Sequence, residues 1–338
     1  MIRPFGLNDV LLVSGLQRSR ASLAIEHILT HPSNPLWLAL TAPWPWAGAG
    51  VATYVLNERS RGIRMAGFAQ LIKRVSRPEA DLLYLAPAIA IDRDEGPSGE
   101  AIWRRLLAHC SVAASGHGLQ RIFASIPDEG WEQVCLKDAG FSFYTRETIY
   151  RLAPIPSSTA EPAGFRPQLP HDSWALQRLY TRSTPRLVQQ AEGAITGEVG
   201  SPLLSWWEPD RWQGIVWEPA GEVRGGVQVH LGRAGHWLRF WGTNVLTARE
   251  LRSLIEQGLR LIALAYRRGQ TKSLPVYATV RDYEIGLGGA LTGFGFAPYM
   301  NRARFVKHTT MTVREPSVPA IAALEARQEI PIHSRAHE

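Results

Sequence analysis

The sequence predicts an α/β protein of two tandem domains, each a mixed, mostly antiparallel sheet flanked by helices. Three observations predict it. The chain has 338 residues, more than a single hydrophobic core usually serves, so two domains are the default. Its apolar and charged fractions, 45% and 20%, are those of an ordinary globular chain. Its two halves also repeat one another. Phe123-Ala124-Ser125-Ile126-Pro127-Asp128 parallels Tyr277-Ala278-Thr279-Val280-Arg281-Asp282. Ala139-Gly140-Phe141-Ser142-Phe143-Tyr144 parallels Phe294-Gly295-Phe296-Ala297-Pro298-Tyr299. The interval from Asp to Gly-Phe differs by one residue between the halves, as duplication of one α/β unit would leave it.

Residues 1–152 form the first unit. Ile2-Arg3-Pro4-Phe5 predicts a short strand, and residues 10–28 a helical stretch. Residues 36–40 and 51–56 are apolar enough for strands, on either side of a Pro-, Trp- and Gly-rich loop. Residues 65–73 predict another strand, and Ser76-Arg77-Pro78 a turn. An apolar run at 82–91 has the length of a buried strand, and a polar loop of small residues follows at 92–99. A helix then begins, because Ile102, Leu106, Cys110 and Ala113 recur with helical period. Gly116 and Gly118 end it. Residues 121–126 read as a strand, 131–138 as a short helix and 143–152 as a closing strand.

Residues 153–164 are dense in Pro and Ser and read as a linker. The second unit, residues 165–313, opens with Phe165-Arg166-Pro167, the counterpart of Ile2-Arg3-Pro4, and a helical stretch at 174–190. Strands are expected at 215–218, 223–231 and 236–241, and a helix at 249–267 with Leu251, Leu254, Ile255 and Ile262 on one face. Gly286-Leu287-Gly288-Gly289 reads as a helix start, since no Lys-Ser or Lys-Thr makes it a phosphate loop. Six of the twelve tryptophans fall between Trp206 and Trp241. Trp237 and Trp241 share a strand face, as core residues would; a pocket for an apolar or cationic ligand is the alternative. Residues 314–338 read as a polar tail.

The net charge of +7 and pI near 9.7 suit a polyanion, but the basic residues are scattered as doublets such as Arg104-Arg105 and Arg267-Arg268. That pattern disfavours nucleic acid and fits a solvated surface or a polyphosphate-bearing cofactor. No apolar run approaches the ~18 residues of a membrane span, and the start of the chain lacks a signal-peptide core. Cys110 and Cys135 have neither metal-ligand nor disulfide-framework spacing, and the histidines show no metal pattern. A cytoplasmic protein without a metal site is expected.

Residues 81–114 carry the clearest chemical signal. Strand, small-residue loop and helix start together make an anion cradle, because the first helical N–H groups lack partners and carry the positive dipole end. Gly96 and Gly99 let backbone N–H groups approach a phosphate with no Cβ in the way. Ser98 adds a hydroxyl or caps the helix.

These residues resemble the GNAT family, the Gcn5-related acyltransferases that use coenzyme A thioesters. The family order of strand, helix, three antiparallel strands, pyrophosphate loop, helix, strand, helix and last strand is similar to both halves. The loop signature, which ends in Gly or Ala, appears as Arg93-Asp94-Glu95-Gly96-Pro97-Ser98, with Ser in the last place and Gly99 next. Ala139-Gly140-Phe141 resembles the end of the family's second helix. The resemblance implies that Ile89, Ala90 and Ile91 hold the pantetheine arm and that Arg93, Asp94, Glu95, Gly96, Pro97, Ser98 and Gly99 hold the diphosphate. The cofactor implied is acetyl-CoA or another acyl-CoA. A base is implied at Asp81, with Tyr84 and Tyr144 as acids toward the thiolate; the family's usual acid Tyr is replaced by Leu136 and Leu291. In the second half Thr243-Asn244-Val245-Leu246-Thr247 replaces the loop without a glycine, so the cofactor is expected in the first half alone. The function implied is N-acyl transfer to a small-molecule or peptide amine, by direct attack in a ternary complex. The alternative is a catalytically degenerate GNAT-fold protein that binds a small molecule or a partner.

Overall fold

A computed structural model describes residues 1–42, 44–46, 50–60, 63–74, 77–89, 99–153, 164–193 and 212–309. Residues 154–163 of the expected linker, the tail, Trp206 and Trp207 lie outside these. The first half runs β1 (Ile2–Pro4), α1 (Val10–Leu16), β2 (Ala21–Ser22), α2 (Ile25–Thr30), α3 (Pro35–Thr41), β3 (Val51–Ser60), β4 (Ile63–Lys73), β5 (Glu79–Ala86), α4 (Gly99–Gly116), β6 (Arg121–Pro127), α5 (Glu132–Asp138) and β7 (Ser142–Leu152). The second runs β8 (Phe165–Pro167), α6 (Asp172–Ser183), α7 (Arg186–Glu192), β9 (Trp212–Trp217), β10 (Gly225–Leu231), β11 (His236–Trp241), α8 (Ala248–Arg267), β12 (Val276–Arg281), α9 (Leu287–Thr292) and β13 (Ala297–His308).

The repeat is visible in geometry. Arg3 grips Asp9 through two bonds of 2.7 and 2.8 Å, and Arg166 grips Asp172 through two bonds of the same lengths. In each case the carboxylate also accepts a backbone N–H, from Gly6 or Leu169, and so pins the turn from the first strand into the first helical segment.

Three expectations of secondary structure are corrected. Residues 36–40 are helical, because Asn34 accepts from the Leu36 and Trp37 N–H groups and Pro35 stands at the first helical position. The stretch 10–28 is broken, because Ala21 and Ser22 are drawn into the sheet beside β5. The stretch 174–190 is broken at Thr184, which the following Pro185 holds extended. The start of α8 is set by a capping box: Thr247 accepts from the Glu250 N–H while Glu250 accepts from the Thr247 N–H.

All described strands belong to one sheet, in the order β1-β3-β4-β5-β6-β13-β7-β12-β11-β10-β9-β8, with β2 beside β5. The closing strands are exchanged. β13 of the second half lies between β6 and β7 of the first, and β7 lies between β13 and β12. Cross-strand register puts both apolar cores on one face. Ile102, Leu106 and Cys110 of α4 pack there with Ala303 and Phe305, and Leu254, Ile255 and Ile262 of α8 with Leu152 and Val276. Gly67 sits where α4 crosses β4; a Cβ there would lie 2.5 Å from Ile102 Cγ2 and 2.6 Å from the Ala86 carbonyl. The opposite face carries α1–α3 in the first half and α6–α7 in the second. Between those two groups the centre of the sheet is polar.

Candidate functional site

Both parallel strand pairs hold together only at their starts. β5 meets β6 through Glu79, Ala80 and Asp81, and β11 meets β12 through His236, Trp237 and Leu238. Beyond those residues each pair splays into a wedge, and the two wedges differ.

The wedge of the first half is filled by the chain itself. The Leu23 N–H donates to the Leu83 carbonyl at 2.9 Å, and the Ser125 N–H donates to the Leu23 carbonyl at 2.7 Å. One residue thus bridges both strands. Ala21 and Ser22 stand in register with Leu85 and Tyr84, and the Ala88 N–H donates to the Ser19 carbonyl at 2.5 Å. The Leu23 side chain is fully buried in the core under α4.

The wedge of the second half is open. It forms a cleft faced by Glu26, Tyr180, Arg239, Trp241, Arg281 and Glu284, among others, with a cavity volume of about 60 Å³. That is room for roughly four waters or for the polar end of a small ligand.

Ion pairs line the cleft and continue behind it. Arg239 pairs with Glu26 at 3.0 Å, Arg281 with Glu192 at 2.6 Å and Arg304 with Glu147 at 3.4 Å. The Tyr180 hydroxyl donates to Glu192 at 2.7 Å. Burial alone would raise the Glu192 carboxyl, but Arg281 and the Tyr180 hydroxyl hold it down to about 2. Burial lifts the Glu26 carboxyl, and Arg239 opposes that rise. Burial raises the Tyr180 and Tyr283 hydroxyls well above the ordinary 10, so both remain protonated donors.

Glu284 is different. It sits partly buried just past β12, accepting from the Arg281 backbone N–H at 2.8 Å and from the Thr243 hydroxyl at 3.4 Å. Burial pushes its carboxyl up to about 7, against the pull of the Arg281 N–H and guanidinium. A carboxyl with that pKa in a cleft can exchange a proton near neutrality.

The residues expected from sequence lie elsewhere. Both oxygens of Asp81 accept from Arg74, at 2.7 and 2.6 Å. The buried Tyr84 donates to the Ser33 carbonyl at 2.9 Å, with the Arg20 guanidinium 4.8 Å over its ring. The Tyr144 hydroxyl accepts from Arg304 Nε at 3.0 Å, and burial raises it. Asp81 faces a small first-half cavity with Ser125 and Arg304. Tyr84 packs under α1 and α3, and Tyr144 against Phe123 and Val188; the three do not converge. Ile89 abuts the start of α4 at Gly99. Ala90, Ile91, Arg93, Asp94, Glu95, Gly96, Pro97 and Ser98 lie outside the described residues. Leu136 and Leu291 are both fully buried. Glu284, Arg281, Tyr180, Glu192 and Glu26 were not singled out from sequence. The signal available was the repeat itself, where Arg281 stands in place of Pro127.

The described residues alone do not make an acyl-CoA site, and those that the resemblance assigns to the diphosphate, 93–98, lie outside them. In the first half, residues 19–23 already pair with the β5 edge that an extended pantetheine arm would use. In the second, the start of α8 is satisfied by its own capping box, and Glu250 sets a negative charge where a diphosphate would need N–H donors.

No protein-family model matches the sequence, and no curated protein matches it. Similar solved structures exist. A GCN5-related N-acetyltransferase from Sphaerobacter thermophilus superposes with a TM-score of 0.51 at 13% identity, over 92% of this chain and 96% of that one. A tandem GNAT protein from the clavulanic acid biosynthesis pathway gives 0.48 at 15% identity, over 92% of this chain and 99% of that one. At such identities the likeness to the Sphaerobacter protein is one of fold, and it spans both halves. With the duplicated order of strands and helices and the two splayed parallel pairs, it establishes that this chain has the GNAT fold, built twice along a single sheet.

Proposed function

We propose that the protein is an acyltransferase acting on amino groups, with the acceptor amine received in the cleft between β11 and β12 and its proton taken by Glu284. The observation that carries this reading is the position of the Glu284 carboxyl beside a splayed parallel strand pair, held by the Arg281 N–H and the Thr243 hydroxyl, where burial pushes it up to about 7. An alkyl amine is protonated near neutral pH, and only its free base can attack a carbonyl. A carboxylate titrating close to the working pH accepts such a proton efficiently. Arg281 positions this base by donating its backbone N–H to Glu284, while its guanidinium is held by Glu192. Tyr180 and Tyr283, both protonated, supply hydroxyls in the same wall. Acyl-CoA, the donor implied by the fold, supplies an activated carbonyl when bound.

The test is thiol release from acetyl-CoA on a panel of primary amines. Wild type should release thiol at a rate that rises through an apparent pKa near 7. Glu284→Gln should lower that rate by about 10²-fold or more with its melting unchanged or raised. A Gln variant as fast as wild type would remove Glu284 from the mechanism. A second reading, amine binding without turnover, is favoured by the filled first-half wedge; binding of an amine with no thiol release would support it.

A further inference from the structure

Two residues that line the second-half cleft each carry a buried polar atom with no hydrogen-bond partner among the described residues, and Glu26 lines the small first-half cavity as well. Glu26 Oε1 accepts nothing, although its Oε2 takes a bond from Arg239 at 3.0 Å. The Trp241 Nε1–H donates to nothing. Both residues are only 7% exposed and both line the cavity. Buried polar atoms mostly find partners in folded proteins, and two on residues lining one cavity are points that a ligand with matching groups would satisfy.

The chemistry of each orphan narrows the match. Glu26 is already neutralised by Arg239, so its free oxygen needs a neutral donor rather than a second cation. Trp241 needs an acceptor. Trp241 follows Arg239 by two residues on the same face of β11, and Arg239 holds Glu26, so Glu26 and Trp241 belong to one wall of the cleft. A hydroxyl can donate to the one and accept from the other, and neighbouring hydroxyls can do both. The third requirement comes from Glu284. Glu26, Glu147 and Glu192 each have an arginine, whereas Glu284 is held by a backbone N–H and a hydroxyl and makes no ion pair among the described residues. A ligand cation would supply the missing charge.

We infer that the cleft recognises a hydroxylated primary amine, of the amino-alcohol or amino-sugar class, with its hydroxyl between Glu26 and Trp241 and its ammonium toward Glu284. This rests on the cleft being the acceptor site, and it adds which amines are preferred. The residues that select are Glu26 and Trp241, neither of which takes the proton.

The experiment measures binding without any acyl donor, by calorimetry or by quenching of tryptophan fluorescence. The probes are matched pairs: 2-aminoethanol against ethylamine, and glucosamine against cyclohexylamine. The hydroxylated member of each pair should bind about ten-fold or more tightly, the worth of roughly one good hydrogen bond to a buried group. Trp241→Phe keeps the ring and removes only the N–H; it should abolish that preference and leave the plain amines unchanged. Glu284→Gln should weaken all four. Equal binding within each pair, or a preference that survives Trp241→Phe, overturns the inference. Should Trp241→Phe fail to fold, the wild-type comparison decides alone. Thiol release is read separately: preference without release removes acyl transfer only, and release without preference removes this inference only.

Discussion

Replacing Glu192 by Gln tests how much a central ion pair stabilises the fold. Glu192 lies at the end of α7 with a side chain 6% exposed, bonded to Arg281 at 2.6 Å and to the Tyr180 hydroxyl at 2.7 Å. Its backbone carbonyl also accepts from Arg77 of the first half at 3.2 Å. The fall of its carboxyl from 4.5 to about 2 corresponds to about 3 kcal/mol of folded-state stabilisation. Removing one member of a buried pair, which strands the other, costs about 3–5 kcal/mol, so the two routes agree. At about 2.1 cal/mol/K per residue, a chain of 338 residues has an unfolding entropy near 0.7 kcal/mol/K. The variant should therefore melt about 5 °C below wild type at pH 7. Because the folded-state pKa is depressed, this contribution is complete above about 4.5 and lost as pH falls toward 2. Melts of both proteins at pH 7, 5 and 4 should keep a constant gap at the first two values and a smaller one at the third. A variant within about 1 °C of wild type at pH 7, or a gap that stays constant down to pH 4, would refute the reasoning.

Three further outcomes are expected. Leu23→Ala should loosen residues 19–23 in the first-half wedge at a cost of about 2–5 kcal/mol, and coenzyme A should then bind more tightly by calorimetry than it does to wild type; equal affinity means the segment occludes nothing. Gly67→Ala should cost about 1–3 kcal/mol of stability and lower the urea midpoint accordingly, because its Cβ would press on Ile102 and the Ala86 carbonyl; an unchanged midpoint would contradict the close packing of α4 on β4. The thiols of Cys110 and Cys135, buried and pushed up by that burial to about 12 and 11, should resist iodoacetamide at pH 8 until the protein unfolds; rapid labelling of folded protein would show that the first-half core opens.

Much of the fold was legible because it rests on local patterns. The period of Ile102, Leu106 and Cys110 marks α4, and that of Leu251, Leu254 and Ile255 marks α8; both helices lie on their cores on those faces. The paired motifs at 123–128 and 277–282 fall on β6 and β12, and Gly286 precedes α9. The failures have local causes too. Residues 36–40 look like a strand by apolarity, and only the Asn34-Pro35 cap turns them into a helix. Residues 20–23 continue a helical pattern, yet open backbone edges on β5 and β6 compete for them and win. No periodicity reports such competition, because the competing strands lie far along the chain.

The candidate site was illegible for a related reason, and the exchanged strands explain it. Glu147 stands on β7 and Arg304 on β13, and they meet only because each strand crosses into the neighbourhood of the other half. The same crossing lets Asp282 of the second half accept from the Thr145 hydroxyl at 2.8 Å, while its counterpart Asp128 accepts from Arg146 at 2.8 Å. Glu26, from a helix of the first half, reaches Arg239 on β11 of the second. A reading that treats the halves as separate units assigns each of these groups to a surface, where a charge needs no partner. The shared sheet buries them together instead, and burial is what lifts Glu284 to about 7 and holds the Tyr180 hydroxyl protonated. The groups of the candidate site therefore belong to the duplicated sheet as a whole. Their position in the second-half wedge follows from the first-half wedge being filled by its own chain, which leaves only a small cavity beside Asp81 and Ser125 and the larger cleft between β11 and β12.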